Sequence, residues 1–143
     1  MKKLKYLIAF IGIITIFTAG CSNPPENEEQ YINVQKRIDD GYEYEDFREI
    51  TKQVQVQKVK DILGDINWDN AKVEMNRHAD YNFVFQFKNP KIETKAVLYE
   101  IWISPNNDKL ELAASDNKYA RLDKNISAQL FEILTGEKLS ESN

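Results

Sequence analysis

The chain of 143 residues holds one cysteine, Cys21, and one histidine, His78. A single cysteine excludes a disulfide within the chain, and a single histidine excludes both the HExxH zinc motif and any pair of histidines one helical turn apart. A nucleophile–histidine–acid set would rest on His78 alone, whose neighbours Arg77, Ala79 and Asp80 read as a loop or strand end; a solvated or structural histidine is the plainer reading. Glycine is scarce, with five residues at 12, 20, 41, 64 and 136, too scattered for a phosphate-cradling loop. Nucleotide cofactors are therefore not expected. Positive charge is lacking too: nineteen Lys and Arg stand against twenty-three Asp and Glu, and beyond residue 20, without Lys2, Lys3 and Lys5, the formal charge is −7. That balance argues against nucleic acid as a partner and against adhesion to anionic lipid through bulk charge. Long apolar runs are missing as well, since the run from Tyr6 to Phe17 has twelve residues and a membrane-spanning helix takes about 20.

What is present begins with an address. Met1-Lys2-Lys3-Leu4-Lys5 precedes the apolar run, and Thr18-Ala19-Gly20-Cys21 follows it, which is the order of a charged region, a hydrophobic region and a small-residue cleavage site. These residues resemble the bacterial lipoprotein signal: Ala19, Gly20 and Cys21 match its lipobox, while Thr18 stands where leucine is commonest. The resemblance implies that residues 1–20 are a signal peptide and that the Cys21 sulfur takes a diacylglycerol. The new amine is then open to a further acyl chain, such as palmitate. One chain gives marginal membrane binding and two give stable anchoring, so the expected location is the extracytoplasmic face of the cell membrane, held by lipid, with no other cofactor. The alternative is an ordinary secretory signal with an incidental cysteine; lipidation accounts for both the position and the solitude of Cys21.

The stretch Ser22 to Gln30 is polar, acidic and proline-bearing, hence a flexible tether. From Tyr31 to Tyr44 the apolar residues Ile32, Val34 and Ile38 are too sparse for a stable helix, and Asp39-Asp40-Gly41 marks a turn. Residues 21–43 are thus expected to be linker, 44–138 a folded domain and 139–143 a disordered tail.

Within the domain, Tyr81, Phe83, Phe85 and Phe87 alternate along one strand face. A strand over Ala96 to Ile103 carries apolar residues on both faces and is expected to be central. Turn residues at Ser104–Asp108 and Ser115–Asn117 connect it to strands at Lys109–Ala114 and Lys118–Leu122. Glu45–Ile50 reads as an edge strand and Ala71–Met75 as another. Two helices are expected. One runs from about Lys52 to Leu63 or Ile66 with Val56, Val59, Leu63 and Ile66 on a stripe; the other starts at Asp123 or Asn125 as N-cap, presents Ile126, Leu130, Ile133 and Leu134, and stops at Gly136. Segregated strands and helices predict an α+β fold, an antiparallel sheet of about four to six strands with two helices packed on one face. The expected core comprises Val59, Leu63, Phe83, Phe85, Tyr99, Ile101, Leu112, Leu130 and Leu134.

The segments "YEIWI" at Tyr99–Ile103 and "KYARL" at Lys118–Leu122, followed by a terminal helix, resemble the small YhfM-like lipoproteins of Gram-positive bacteria over roughly residues 45–138. The resemblance implies fold and location and brings no site residue with it.

Among candidates for chemistry, Glu100 sits in an otherwise apolar strand beside Trp102, as a buried acid of raised pKa or, more plainly, as an ion-paired or partly exposed residue. Asp65, Asn67, Asp69 and Asn70 around Trp68 alternate like calcium ligands, but the glycine of an EF loop is missing and Asn76 stands where its last glutamate belongs; a polar turn is expected, and no metal site. The phenylalanines of the aromatic strand belong to the core rather than to a base-stacking platform. Trp68 and Trp102 are the candidate partner surface, tryptophan being enriched at binding hot spots. The composite expectation is a non-catalytic binding or interaction module at the cell envelope, meeting the membrane through its lipid and another envelope protein through its tryptophans. The competing classes are a small carboxylate-dependent enzyme acting on cell-wall polymer and an accessory ligand-binding subunit.

Overall fold

The computed structural model describes residues 28–141. The expected signal at 1–20, Cys21 and the acidic stretch to Asn27 lie outside the described residues. Six strands, β1 (Gln30–Arg37), β2 (Tyr44–Ile50), β3 (Tyr81–Phe87), β4 (Tyr99–Ile103), β5 (Leu110–Ala114) and β6 (Lys118–Arg121), form one sheet in the order β2-β1-β3-β4-β5-β6, every pair antiparallel. Helices α1 (Gln53–Asp65) and α2 (Lys124–Thr135) pack on one face. This is the expected α+β arrangement, with β2 at the edge and β4 in the interior of the sheet.

The first strand corrects the reading of residues 31–44 as linker. Ile32 and Val34 are fully buried, on a period of two rather than 3.6, and β1 is paired on both sides, with β2 and with β3. Its third inward residue is Lys36, whose ammonium sits 5.6 Å from the Phe47 ring centre and 5.8 Å from that of Tyr81. A lysine at that position breaks the apolar alternation, which conceals the strand from a hydrophobicity pattern; the residue is half-buried, and its charge lies against aromatic faces.

Residues 71–80 form a strap across the sheet face opposite the helices, and the strand expected at Ala71–Met75 is absent. Just ahead of the strap, Asp69 and Tyr119 exchange backbone hydrogen bonds of 2.8 and 2.9 Å at the outer edge of β6. The chain upstream of Tyr99 also stays out of β4: Leu98 instead donates its N–H to Ser115 Oγ at 3.0 Å. At the other end of the chain, Leu139–Glu141 make a short 3-10 turn and Leu139 joins the core, so the expected disordered tail begins too early.

Helix α1 buries Val56, Val59, Ile62 and Leu63. Helix α2 is capped by Asp123, whose Oδ1 accepts from Ile126 N at 2.8 Å; Asn125 is not the cap and accepts from Gln129 Nε2 instead. Of the nine expected core residues, Phe85 and Tyr99 are half-buried against the cluster and the others are buried. The helix and sheet layers are stitched by one buried polar contact, Leu110 N donating to Ser127 Oγ at 2.9 Å.

Gly136 ends α2 in the left-handed region at φ 75°, and a Cβ there would collide with the Arg48 guanidinium of β2. Gly136→Ala is expected to destabilise the domain by about 1–2 kcal/mol from backbone strain, and by a smaller amount from the clash, since the guanidinium is the free end of a flexible side chain that can swing aside; in an Arg48→Ala background only the strain should remain. Urea midpoints of the four chains check this, and equal losses in both backgrounds would exclude the clash. Tyr81 packs edge-on against Phe131 at 5.7 Å, and burial first, then Glu137 and Asp80, push its hydroxyl up to about 12 from 10.0. The unfolded chain therefore ionises Tyr81 before the folded one, and the stability present below pH 10 is lost as pH rises toward 12. Tyr81→Phe should move alkaline unfolding to higher pH, followed by circular dichroism against pH; an unchanged profile would show that Tyr81 carries none of it.

Candidate functional site

Strands β3 and β4 pair only from Tyr81 to Phe83, against Ile101 to Tyr99. Beyond Phe83, β3 continues along β1 to Phe87, while the chain leading into β4 turns away. Pro90, which lacks a backbone donor, lies in the connecting segment. The divergence opens a cleft of about 570 Å³ between Phe85 of β3 and residues 94–97, closed on the helix side by Lys60, Leu63 and Gly64 of α1 and by Trp68.

The apolar wall of this cleft is aromatic. Tyr99 stacks on the buried Phe83 at 4.9 Å and meets Phe85 edge-on at 6.1 Å, with the Trp68 ring at 6.3 Å on its other side. The Trp68 indole N–H donates to Leu63 O at 2.8 Å, so its polar atom is consumed by the C-terminal turn of α1 and the ring is left as surface. The Tyr99 hydroxyl has no hydrogen-bond partner among the described residues; burial, then Asp116, holds its pKa above the usual value, which keeps it a donor.

The polar lining is cationic. Lys60, Lys95 and Lys118 face it, against Asp116 as its single carboxylate. Lys60 lies 5.8 Å from the Phe85 ring centre, Lys118 is 3.5 Å from Asp116, and Lys95 makes no ion pair among the described residues. One carboxylate, already beside a lysine, does not supply the separate acid and base that glycoside hydrolysis uses. The arrangement suits binding an anion next to an apolar or sugar-like surface.

Larger hollows carry less free chemistry. One of about 1080 Å³ lies between the strap and the strands it crosses, but both its arginines are already paired, Arg77 with Asp80 at 2.7 Å and Arg121 with Glu111 at 3.1 Å, Tyr119 donates to Glu111 at 2.6 Å, and the charges left over, Lys109 and Glu74, are one of each sign. Another, of about 710 Å³, is bordered by Arg37, whose Nη2 lies 3.3 Å from Asp80 and whose buried Nε has no partner; the acids Asp39, Glu132 and Glu137 face the same space.

The two tryptophans named as candidates for a partner surface are separated by the sheet. Trp68 belongs to the cleft. Trp102 is 5% exposed under the strap, with its indole N–H donating to Arg77 O at 2.9 Å, and so offers no surface; it anchors the strap instead. His78 is exposed, and its one ring contact among the described residues is with Tyr42, 4.4 Å away. Glu100 is half-buried on the sheet face opposite the helices, between Asn82 and Ala113 in register, which is the partly exposed sheet face of the two readings weighed for it. Among the described residues no group of three or more acidic, histidine or cysteine side chains is placed to hold a metal, and no helix is long and apolar enough to cross a membrane. Sequence reasoning missed the three lysines, which nothing local distinguishes from other surface lysines. It also missed Gly64, an unexplained glycine inside a helix pattern, which was a usable signal.

The fold and the cleft define a small α+β domain with one aromatic, lysine-rimmed cleft at an end of its sheet. Residues 25–140 match the family model described as YhfM protein, and the chain belongs to that family. The match takes in β1, ahead of the span expected from the aromatic spacing. No curated protein and no solved structure matches the chain.

A Cβ at Gly64 would meet nothing within 4 Å, so packing does not require glycine there, and helix propensity disfavours it by up to about 1 kcal/mol relative to alanine. Gly64→Ala is expected to stabilise the domain by an amount up to that, read from the urea midpoint. A loss of stability instead would show that the backbone at Gly64 needs glycine.

Proposed function

We propose that this protein is a lipid-anchored, extracytoplasmic binding module of the cell envelope, without catalysis of its own, and that the cleft at Trp68 is its binding site. The observation that carries the reading is one of placement. Gln30, the first residue of β1, lines the cleft, and the preceding residue is fastened beside the end of β3, where Lys88 N donates to Glu29 O at 2.9 Å and Lys88 Nζ meets the Glu29 carboxylate at 2.9 Å. The chain from Cys21 therefore enters the domain at the end that bears the cleft. Gln30 lies nine residue steps beyond Cys21, a span of roughly 30 Å at most when extended, so a lipid on Cys21 keeps the cleft close to the bilayer. The lipobox residues Ala19, Gly20 and Cys21 support the anchor, and the concave site supports a ligand group that enters a cleft over a flat protein face.

In cells fed labelled palmitate, the wild-type chain is expected to take up label and to sediment with membranes. Cys21→Ala should remain unlabelled and uncut ahead of residue 21, which mass spectrometry of its N-terminus reads directly. Label on the Cys21→Ala chain, or none on the wild type, would overturn the anchor.

A further inference from the structure

Resting on that reading, we propose that the cleft binds the phosphodiester headgroup of an anionic membrane phospholipid. The domain as a whole repels such a surface, since the chain beyond residue 20 has a formal charge of −7. Its cleft is the exception, with Lys60, Lys95 and Lys118 against Asp116 alone. An ammonium group is a compact point charge suited to phosphate oxygens, and Lys95 is not engaged by any acid among the described residues. The Tyr99 hydroxyl adds an unused donor. Trp68 and Tyr99 supply amphipathic rings of the type that settle at headgroup level in membranes, and the Trp68 ring is fixed by its bond to Leu63 O. A bilayer is also the one source of phosphate ester that a short tether keeps permanently within reach, which raises its effective concentration without any further contact. Gly64 fits the same purpose: its missing side chain leaves open a wall that the helix would be more stable filling.

The test uses the full chain in phosphatidylcholine vesicles, with and without phosphatidylglycerol, and reads acrylamide quenching of tryptophan. Trp102 is buried and contributes a constant background, so the change reports Trp68. Phosphatidylglycerol is expected to protect Trp68. In the combined Lys60→Gln, Lys95→Gln, Lys118→Gln chain the phosphatidylglycerol needed for half-protection should rise by about two orders of magnitude, roughly fivefold for each lysine near the surface. Gly64→Leu keeps every charge and occupies the cleft; it should lose protection as well, which separates the cleft from general attraction. Glycerol phosphate added in solution to plain phosphatidylcholine vesicles should protect far less than the lipid does. The headgroup assignment falls if phosphatidylglycerol gives no protection, if protection survives the lysine or Gly64 variants, or if soluble glycerol phosphate protects equally well. Palmitate labelling of the same preparation reports the anchor independently: a labelled chain with an unprotected Trp68 loses only the headgroup, whereas an unlabelled one loses the anchor.

Discussion

The sheet depends on β1 being held between β2 and β3. Seven residue pairs join β1 to β3, from Gln30 opposite Phe87 to Lys36 opposite Tyr81, and six join it to β2 across an irregularity at Val34 and Gln35. By contrast β3 and β4 share three pairs. Without β1 the edge strand β2 has no neighbour, and the outer half of β3 loses its only partner. The cost of this arrangement is closure over long stretches of chain, because the β1–β3 pairs join residues some fifty positions apart and such contacts must offset loop entropy before they contribute. What repays it is the complete burial of Ile32 and Val34 against Val56, Val59 and Phe83 in one core.

That dependence also explains which parts of the fold were legible in the sequence. Segments whose stability is written locally were readable: the aromatic alternation of β3, the turn residues around β5, the Asp123 cap and the Gly136 stop of α2. Segments stabilised by distant partners were not. β1 has two buried apolar residues and a lysine where a third would stand, and nothing nearby in sequence reveals that it has a strand on each side. Leu139 was missed for the same reason, being a lone leucine among polar residues that finds the core only after α2 has turned. The site was legible in part. Trp68 was marked as chemically unusual, yet its separation from Trp102 follows from the strap, which no spacing rule anticipates.

The two tryptophans show how the layers of the structure decide the use of a side chain. Both donate their indole N–H to a backbone carbonyl, Trp68 to Leu63 and Trp102 to Arg77. At Trp102 the accepting carbonyl lies in a strap that Asp80 and Arg77 tie to β4: Ile103 N donates to Asp80 Oδ2 at 2.7 Å and Arg77 Nη2 donates to Ile103 O at 2.7 Å. The indole is thereby sealed. At Trp68 the acceptor is the end of α1, and the sheet beneath it has divided, so the ring keeps an open face.

The same division accounts for the charge pattern. In a continuous sheet Phe85 would be matched by a residue of β4 and covered by α1, and Lys60 would have to reach solvent past a filled core. Because β4 turns away at Tyr99, the aromatic layer ends in a step, and Lys60 lies along it with its ammonium 5.8 Å from the Phe85 ring centre. Lys95 and Lys118 come to the same step from chain segments that pair with neither β1 nor β3. Cationic side chains from three separate segments thus converge where the backbone pairing fails, on a domain that is acidic elsewhere. Since exposed charges further apart than about 10 Å are largely screened at moderate salt, the surrounding acidity does not cancel this local excess. Under the headgroup proposal, the net negative charge of the rest of the chain would disfavour its other faces at an anionic surface and leave the cleft end to approach it.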